Sequence, residues 1–184
     1  MPIVLILLFM FFLACQALPL ALGVNKANNT AKSFFFVLIP VATQILFFWL
    51  GYLLGDRFIY LMKDIKTIVV LAGFFIIGTR FIVEAFAIRN GKRTFQTDNS
   101  LQFILASVAQ SINTFLVGLL FCFFTIHLIN TLAFLGLWAL IVSLSGMLSN
   151  VSKKSLALAS LLILLGGLFM IGSSFYLAFF NIIE

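Results

Sequence analysis

Hydrophobic residues form six long runs along this chain, and short polar stretches separate them. A helix needs roughly 20 mostly apolar residues to cross a hydrocarbon core of about 30 Å. The runs reach that length and predict spans at about 3–23, 34–55, 66–88, 101–126, 130–150 and 156–180. The pattern therefore predicts an all-α integral membrane protein with six transmembrane helices. A signal peptide is the alternative for the first run, but the run lacks the basic segment that would precede it.

Polar residues interrupt two of these runs near their middle. The fourth run carries the larger group, which consists of Gln110, Ser111, Asn113 and Thr114. Polar side chains at this depth cost free energy unless they face protein, water or a substrate. The first run has a weaker counterpart at Gln16, three residues before Pro19. Because Pro19 cannot donate to the Cys15 carbonyl, it predicts either a kink or a backbone ligand beside Gln16.

The composition leaves little material for a soluble domain, since 64% of the residues are apolar and 9% are charged. The net charge of +6 does not indicate nucleic-acid binding, because the basic residues sit in short loops, where they set orientation. The first, third and fifth loops and their edges hold Lys26, Lys32, Arg89, Lys92, Arg93, Lys153 and Lys154. The second and fourth hold only Arg57, Lys63 and Lys66. Cationic loops stay cytoplasmic, so we predict a bacterial inner-membrane protein with both termini on the periplasmic side.

The six runs divide into two triplets, which we assign to residues 1–95 and 96–184. Gly51 in the second run aligns with Gly146 in the fifth, and Gln16 and Asn113 precede these glycines by 35 and 33 residues. An odd number of spans in each half inverts one half relative to the other. This is the inverted-repeat plan of many secondary transporters, whose binding site lies near the midplane between the repeats.

One charged pair lies inside a predicted span, where Arg80 and Glu84 are one helical turn apart. One interpretation is a local ion pair near the cytoplasmic end, with Arg80 reaching toward the lipid headgroups. The other is a role in a transport pathway, as a gate or a proton relay.

Catalytic chemistry finds no support in the sequence, because no run offers a nucleophile–base pair or a cluster of histidine and carboxylate. Cys15 and Cys122 lie inside apolar runs and are predicted to be small hydrophobic residues, with a disulfide or a soft-metal site as the alternatives. His127 falls at the end of a run. We therefore predict that the protein is not an enzyme and carries no cofactor.

Two segments resemble the MntP-type family of manganese exporters. Residues 78–86 are similar to the family's third-span pattern Gly-Gly-Lys/Arg-Met-Ile-x-Glu, and residues 109–118 to its fourth-span pattern Ala-Thr-Ser-Ile/Leu-Asp-Ala-x-Ala-Val-Gly. Gln44 matches a Gln or Glu in the family's second span, and Gly51 and Gly55 fall on its glycines there. The order and spacing of these segments carry the resemblance over nearly the whole chain. The family in turn resembles the LysE-like group of small exporters, which have inverted three-span repeats.

The resemblance implies Mn²⁺ as the substrate and two metal-binding aspartates, one in the first span and one in the fourth. Gln16 and Asn113 occupy these positions here. Mn²⁺ prefers oxygen ligands, chiefly carboxylates, carbonyls and water. Amides supply oxygen but no negative charge, and taking the water from a divalent ion inside a membrane is then very unfavourable. We therefore expect divalent export to be altered or lost.

Two functions compete at this point. The first is a transporter that exports a cation such as Mn²⁺, or a related small solute, along a pathway formed by Gln16, Gln44, Ser111, Asn113, Thr114, Glu84 and Arg80. The second is a non-transporting membrane subunit that keeps the exporter fold. Its 24 phenylalanines, in pairs such as Phe47–Phe48 and Phe74–Phe75, would then pack against a partner membrane protein or a second copy, although contact with the lipid bilayer also explains them.

Overall fold

Helices account for all the regular structure in the described part of the chain. The computed structural model describes residues 2–24, 30–61, 63–90, 100–149 and 151–180. The α-helices in these ranges are α1 (Ile3–Cys15), α2 (Ala17–Leu22), α3 (Thr30–Phe58), α4 (Lys66–Arg89), α5 (Ser100–Phe121), α6 (Leu128–Leu148) and α7 (Lys153–Phe180). They make six segments long and apolar enough to cross a membrane, with α1 and α2 together forming the first. The prediction of an all-α membrane protein with six spans is confirmed.

The hydrogen-bond ladder of the first span is irregular at Gln16, between α1 and α2, although the backbone there stays in the right-handed helical region (φ −62°, ψ −28°). The backbone N–H of Gln16 donates to the carbonyl of Leu13, three residues earlier, at 3.2 Å. Pro19 lies in α2 and has no N–H for the Cys15 carbonyl, so the regular ladder cannot run through this point. Within the bundle, this span is the most deeply buried of the six.

The second and fourth spans end at residues other than the predicted ones. The second span continues to Phe58, so Asp56 and Arg57 belong to the last turn of α3 and not to a loop. The fourth span ends at Phe121, whereas the apolar run predicted an end near residue 126. Residues 122–127 are turn and irregular backbone, although most of them are apolar. The loop residues Lys26, Lys92 and Arg93, which support the predicted orientation, lie outside the described residues.

Glycines set the closest helix contacts. On α3, Gly51 lies against the backbone carbonyl of Phe115, and on α5, Gly118 lies against the carbonyl of Phe48. Thr43 meets Ser107 further toward the start of the same two helices, so α3 and α5 run in the same direction. Any β-carbon at these glycines would overlap backbone atoms, which is why the residues must be small.

Glycines also set the contact between α4 and α7, which run in opposite directions. A β-carbon at Gly78 would lie 2.7 Å from the Gly167 carbonyl oxygen, and the reverse distance is also 2.7 Å. Further along, the Ser160 hydroxyl donates to the Ala85 carbonyl at 2.8 Å.

The helix α6 packs along the first span. Phe11 meets Trp138 edge to face with ring centroids 5.1 Å apart, and a β-carbon at Gly146 would lie 2.6 Å from that of Ala21. The second span of each predicted half thus packs on the first span of the other half, α3 on α5 and α6 on α1 and α2. The division into inverted repeats stays a prediction, and this exchange of packing partners supports it.

Aromatic rings fill the centre of the bundle. The ring of Phe9 lies 4.9 Å from that of Phe74 and 5.4 Å from that of Phe121, centroid to centroid. The Phe pairs do not form one surface: Phe48 and Phe74 are buried, while Phe75 is exposed. Neighbouring residues on a helix point about 100° apart, so a pair divides between the core and the outer face.

Candidate functional site

The predicted pathway residues occupy two environments. Gln16, Gln44, Ser111, Asn113 and Thr114 are all buried in the bundle, each at most 2% exposed. A lipid-facing position for Gln16 or Asn113 would have excluded an internal site, and neither faces lipid.

The charged pair in the third span is divided between inside and outside. Glu84 is buried at 9% exposure, while Arg80, one turn earlier on α4, is exposed. The residue after Glu84, Ala85, contacts Ser160 of α7 through its carbonyl. Glu84 therefore lies near the α4–α7 contact, and the choice between an ion pair and a pathway role stays a prediction.

Several buried polar atoms have no hydrogen-bond partner within the described residues. They are Gln16 Oε1, Gln16 Nε2, Gln44 Oε1, Asn113 Oδ1, Thr114 Oγ1 and Ser143 Oγ. A buried polar atom that lacks a partner costs about 1–3 kcal/mol. Folded proteins contain few such atoms, and a group of them indicates a place where water or a ligand binds. All six belong to uncharged side chains on the first, second, fourth and fifth spans.

The backbone of Gln16 and the side chain of Gln44 share one hydrogen-bond acceptor in the first span. The Leu13 carbonyl accepts a hydrogen bond from the backbone N–H of Gln16 at 3.2 Å and another from Gln44 Nε2 at 3.4 Å. One carbonyl oxygen of the first span therefore links it to the middle of α3. The sequence predicted both residues as pathway residues, but it did not predict this contact.

Ser143 on α6 also keeps an unpartnered oxygen and was not among the predicted residues. It lies on α6 two turns after Gly136, where an added β-carbon would be 2.9 Å from Ile45 Cδ1 of α3. Three residues after Ser143 comes Gly146, which contacts Ala21 of α2. Ser143 is fully buried and thus lies on the side of α6 that meets both α3 and the first span.

No sequence signal separates Ser143 from its neighbour Ser145. The hydroxyl of Ser145 donates to the Val142 carbonyl at 2.8 Å, which is the usual way in which a serine satisfies itself within a helix. Only the position of each side chain relative to the other helices distinguishes the two.

The polar residues of α5 are partly satisfied. Ser111 donates its hydroxyl to the Ser107 carbonyl at 2.9 Å, and the Ser107 hydroxyl pairs with that of Thr43 across the α3–α5 contact at 2.8 Å. Asn113 and Thr114 keep an unpartnered oxygen each. The pairing of Gln16 with Asn113 in one midplane site stays a prediction.

The unpartnered atoms belong to uncharged amide and hydroxyl side chains. Among the described residues, no three or more His, Cys, Asp or Glu side chains form a group that could hold a metal ion. Cys15 and Cys122 are both buried and free, so the disulfide alternative is wrong. A bound cation would therefore have to rely on amide, hydroxyl and backbone oxygens at these positions.

The chain was compared with models of known families. A family model described as "Mntp: Putative manganese efflux pump" matches residues 27–177. The matched region starts before α3 and ends in α7, so it includes Asn113 but not the first span with Gln16. No curated protein and no solved structure matches the chain.

Proposed function

The chain belongs to the Mntp family, and from this membership and its buried polar atoms we propose that it exports a small cation, such as Mn²⁺, across the bacterial inner membrane. The single observation that carries the proposal is the set of unpartnered oxygens inside the bundle, on four of the six spans. Oxygen is the ligand type that Mn²⁺ and other hard cations prefer.

A purely structural bundle would gain nothing from these atoms. Each unpartnered buried oxygen destabilises the fold by about 1–3 kcal/mol, and an apolar side chain of similar size would avoid that cost. Ser145, Ser160 and Ser174 show that other polar residues in the spans do find partners. Unpartnered oxygens retained beside satisfied ones favour a binding role.

The neutral character of the site bears on the substrate. Gln16 and Asn113 offer amide oxygens where the resemblance implies aspartates, so a divalent ion meets no compensating charge at these two positions. We expect Mn²⁺ to bind weakly, since the loss of its hydration shell is poorly offset by neutral ligands. The proposed cargo is therefore a cation that the site holds loosely and releases readily.

The proposed orientation has both termini in the periplasm and the loops at Lys26, Lys92 and Lys153 in the cytoplasm. Single cysteines beside these lysines, in a chain whose native cysteines are replaced, should be protected from a membrane-impermeant thiol reagent in whole cells. Cysteines in the second and fourth loops should react. Labelling beside Lys92 from outside would reverse the orientation.

Metal-resolved efflux tests the proposal. Purified protein is reconstituted into vesicles loaded with Mn²⁺, Na⁺ and K⁺, and each ion is measured by mass spectrometry. Asn113→Leu, which removes a buried oxygen at nearly constant size, should abolish the flux that the wild type shows. Asn130→Leu, on the exposed first turn of α6, is the matched control and should leave the flux unchanged.

Two results would contradict the proposal. The first is a wild-type protein that moves none of the ions, which is the outcome that a non-transporting membrane subunit predicts. The second is a flux that Asn113→Leu and Asn130→Leu affect equally.

A further inference from the structure

The crossing of α4 and α7 locates the middle of the bilayer on both helices. Gly78 lies halfway along α4, and Gly167 lies halfway along α7. A β-carbon at either glycine would lie 2.7 Å from the carbonyl oxygen of the other. The two spans therefore cross at their midpoints, and the midpoint of a helix that crosses the membrane lies near the centre of the hydrocarbon core.

Arg80 lies at this depth on the outside of the bundle. It follows Gly78 by two residues, which is a rise of about 3 Å along the helix axis, and its side chain is exposed. Ile76 and Val83, one turn before and one turn after it, are 57% and 64% exposed. Residues spaced by three and four share one face of a helix. We name this stripe of Ile76, Arg80 and Val83 the Arg80 face, and it carries a positive charge at the centre of the membrane.

The lipid headgroups do not explain this position. Arg89, which ends α4 on the nearer side, is nine residues from Arg80, about 14 Å along the axis. Side chains on a helix tilt toward its N-terminus, so that of Arg80 leans away from the nearer end. Arginines that reach the headgroups lie near the ends of their helices. Arg80 lies near the middle of α4 and is therefore poorly placed to do so.

The chain itself does not compensate the charge of Arg80. The structure gives Arg80 no hydrogen bond and no ion pair with another described residue. Glu84, one turn later on α4, is buried at 9% exposure. A charged side chain inside a membrane span is costly unless it is paired. The Arg80 face is therefore expected to meet an opposite charge at the same depth.

A second copy of this chain would not bring that charge. In a dimer whose two-fold axis runs along the membrane normal, residues of equal depth meet, so Arg80 would face the second Arg80. The carboxylates among the described residues are Asp56, Asp64 and Glu84. Asp56 lies in the last turn of α3, Asp64 lies between two spans, and Glu84 is buried. The missing charge must come from a different protein.

We propose that the Arg80 face binds a transmembrane helix of a partner protein, and that this helix carries an aspartate or a glutamate at the middle of its span. The partner's carboxylate accepts hydrogen bonds from the Arg80 guanidinium, a charge-assisted pair with two parallel bonds. Its apolar side chains pack on Ile76 and Val83. The proposal does not rest on the proposed function, because the Arg80 face lies outside the bundle and the unpartnered polar atoms lie inside it.

A synthetic transmembrane peptide tests the pairing. The peptide is a helix of leucine and alanine, about 23 residues long, with lysines at both ends and one glutamate at its centre. Two matched peptides carry glutamine or leucine in place of the glutamate. Protein with a fluorescent donor and peptide with an acceptor are reconstituted together into phosphatidylcholine vesicles, and energy transfer measures their association. The glutamate peptide should bind at least about tenfold more tightly than the leucine peptide, the effect of one charged hydrogen-bonded pair.

Matched variants locate the binding on α4. Arg80→Leu removes a charge from an exposed position, so it should fold like the wild type and bind the glutamate and leucine peptides alike. Arg89→Leu removes another exposed arginine of the same helix, at its end, and should keep the wild-type preference for the glutamate peptide. Size-exclusion chromatography checks that both variants are folded.

Three results would overturn the proposal. The first is a wild type that binds the glutamate and leucine peptides equally, and the second is an Arg89→Leu variant that loses the preference as fully as Arg80→Leu does. The third is self-association of the protein without peptide that Arg80→Leu abolishes, which would make a second copy the occupant of the Arg80 face. Donor-labelled and acceptor-labelled protein in the same vesicles measures that self-association.

Discussion

The α3–α5 contact and the contact of α6 with the first span both pack a glycine closely against a neighbouring helix. They differ in the side chains that meet beside that glycine. A glycine of the second span of each half, Gly51 or Gly146, lies against the first span of the other half. Eight residues before each glycine, the two contacts differ in the kind of side chain that they bring together. Thr43 pairs its hydroxyl with that of Ser107 at 2.8 Å, whereas Trp138 stacks edge to face on Phe11 at 5.1 Å.

This comparison distinguishes positions that helix packing constrains from positions where the side chain can vary. The glycines are constrained by neighbouring helices, since a β-carbon there would overlap the partner. Side chains further along each helix are free to be polar or aromatic without changing how the helices approach. The α3–α5 contact joins two hydroxyls, while the α6 contact is mostly apolar and keeps a single unpartnered serine, Ser143.

Replacing the glycines is expected to change stability more than any other substitution considered, and by different amounts at the two contacts. In Gly51→Ala the new methyl meets the backbone carbonyl of Phe115, which cannot rotate away, and we expect a loss of stability of about 3 kcal/mol or more. In Gly146→Ala it meets the Ala21 and Leu18 side chains, the nearest atom at 2.6 Å, and the expected loss is about 1–2 kcal/mol.

Gly172→Ala is the control for both glycine variants. No atom lies within 4 Å of a β-carbon built at Gly172, so the change should be neutral or stabilise the helix by up to about 1 kcal/mol. Thermal unfolding in detergent, followed by size-exclusion chromatography, measures all three. Equal losses for Gly51→Ala and Gly146→Ala would show that the two contacts are equally rigid.

Aspartates introduced at Gln16 and at Asn113 test whether the two helix contacts share an ion site. Gln16 belongs to the first span and Asn113 to the fourth, and the double change Gln16→Asp plus Asn113→Asp restores negative charge at both. We expect Mn²⁺ to bind at least about tenfold more tightly than to the wild type, which calorimetry measures. A gain in the double variant larger than the two single gains multiplied together would indicate one shared site.

The pH dependence of this binding has a definite sign. Protons compete with Mn²⁺ for the introduced carboxylates, so binding to the double variant should weaken as the pH falls from neutral to acidic values. Amides do not titrate, so Gln16 and Asn113 add no pH dependence to the wild type. Tight wild-type binding of Mn²⁺ that Gln16→Ala or Asn113→Ala abolishes would show that neutral oxygens suffice and that the argument from charge is wrong.

The smallest expected effect concerns the hydroxyl pair of the α3–α5 contact. Thr43→Val leaves the Ser107 hydroxyl without its partner on α3 and should cost about 1 kcal/mol, whereas Thr43→Val with Ser107→Ala should cost less because both polar groups are gone. Thermal unfolding of the single and double variants forms a double-mutant cycle. If the double variant loses as much as the two single variants combined, the pair contributes no coupling.

Much of the fold was predictable because hydropathy and helix length are local quantities. Six apolar runs predicted six spans, and Pro19 predicted either a kink or a freed backbone carbonyl in the first span. The end of the fourth span was not predictable, since the residues after Phe121 are as apolar as the helix itself and no glycine or proline marks the turn.

The sequence by itself determined the membrane class, the number of spans and the burial of Gln16, Gln44 and Asn113, because a polar side chain within a long apolar run is costly unless it faces the interior. Only the tertiary structure decided which polar atoms remain unpartnered. Ser143 and Ser145 look alike in the sequence, but the rotation of α6 against its neighbours buries one hydroxyl without a partner and leaves the other bonded to its own helix. Likewise, the meeting of Gln16 and Gln44 at the Leu13 carbonyl depends on how the first span and α3 pack, which is a property of two helices together and of neither alone.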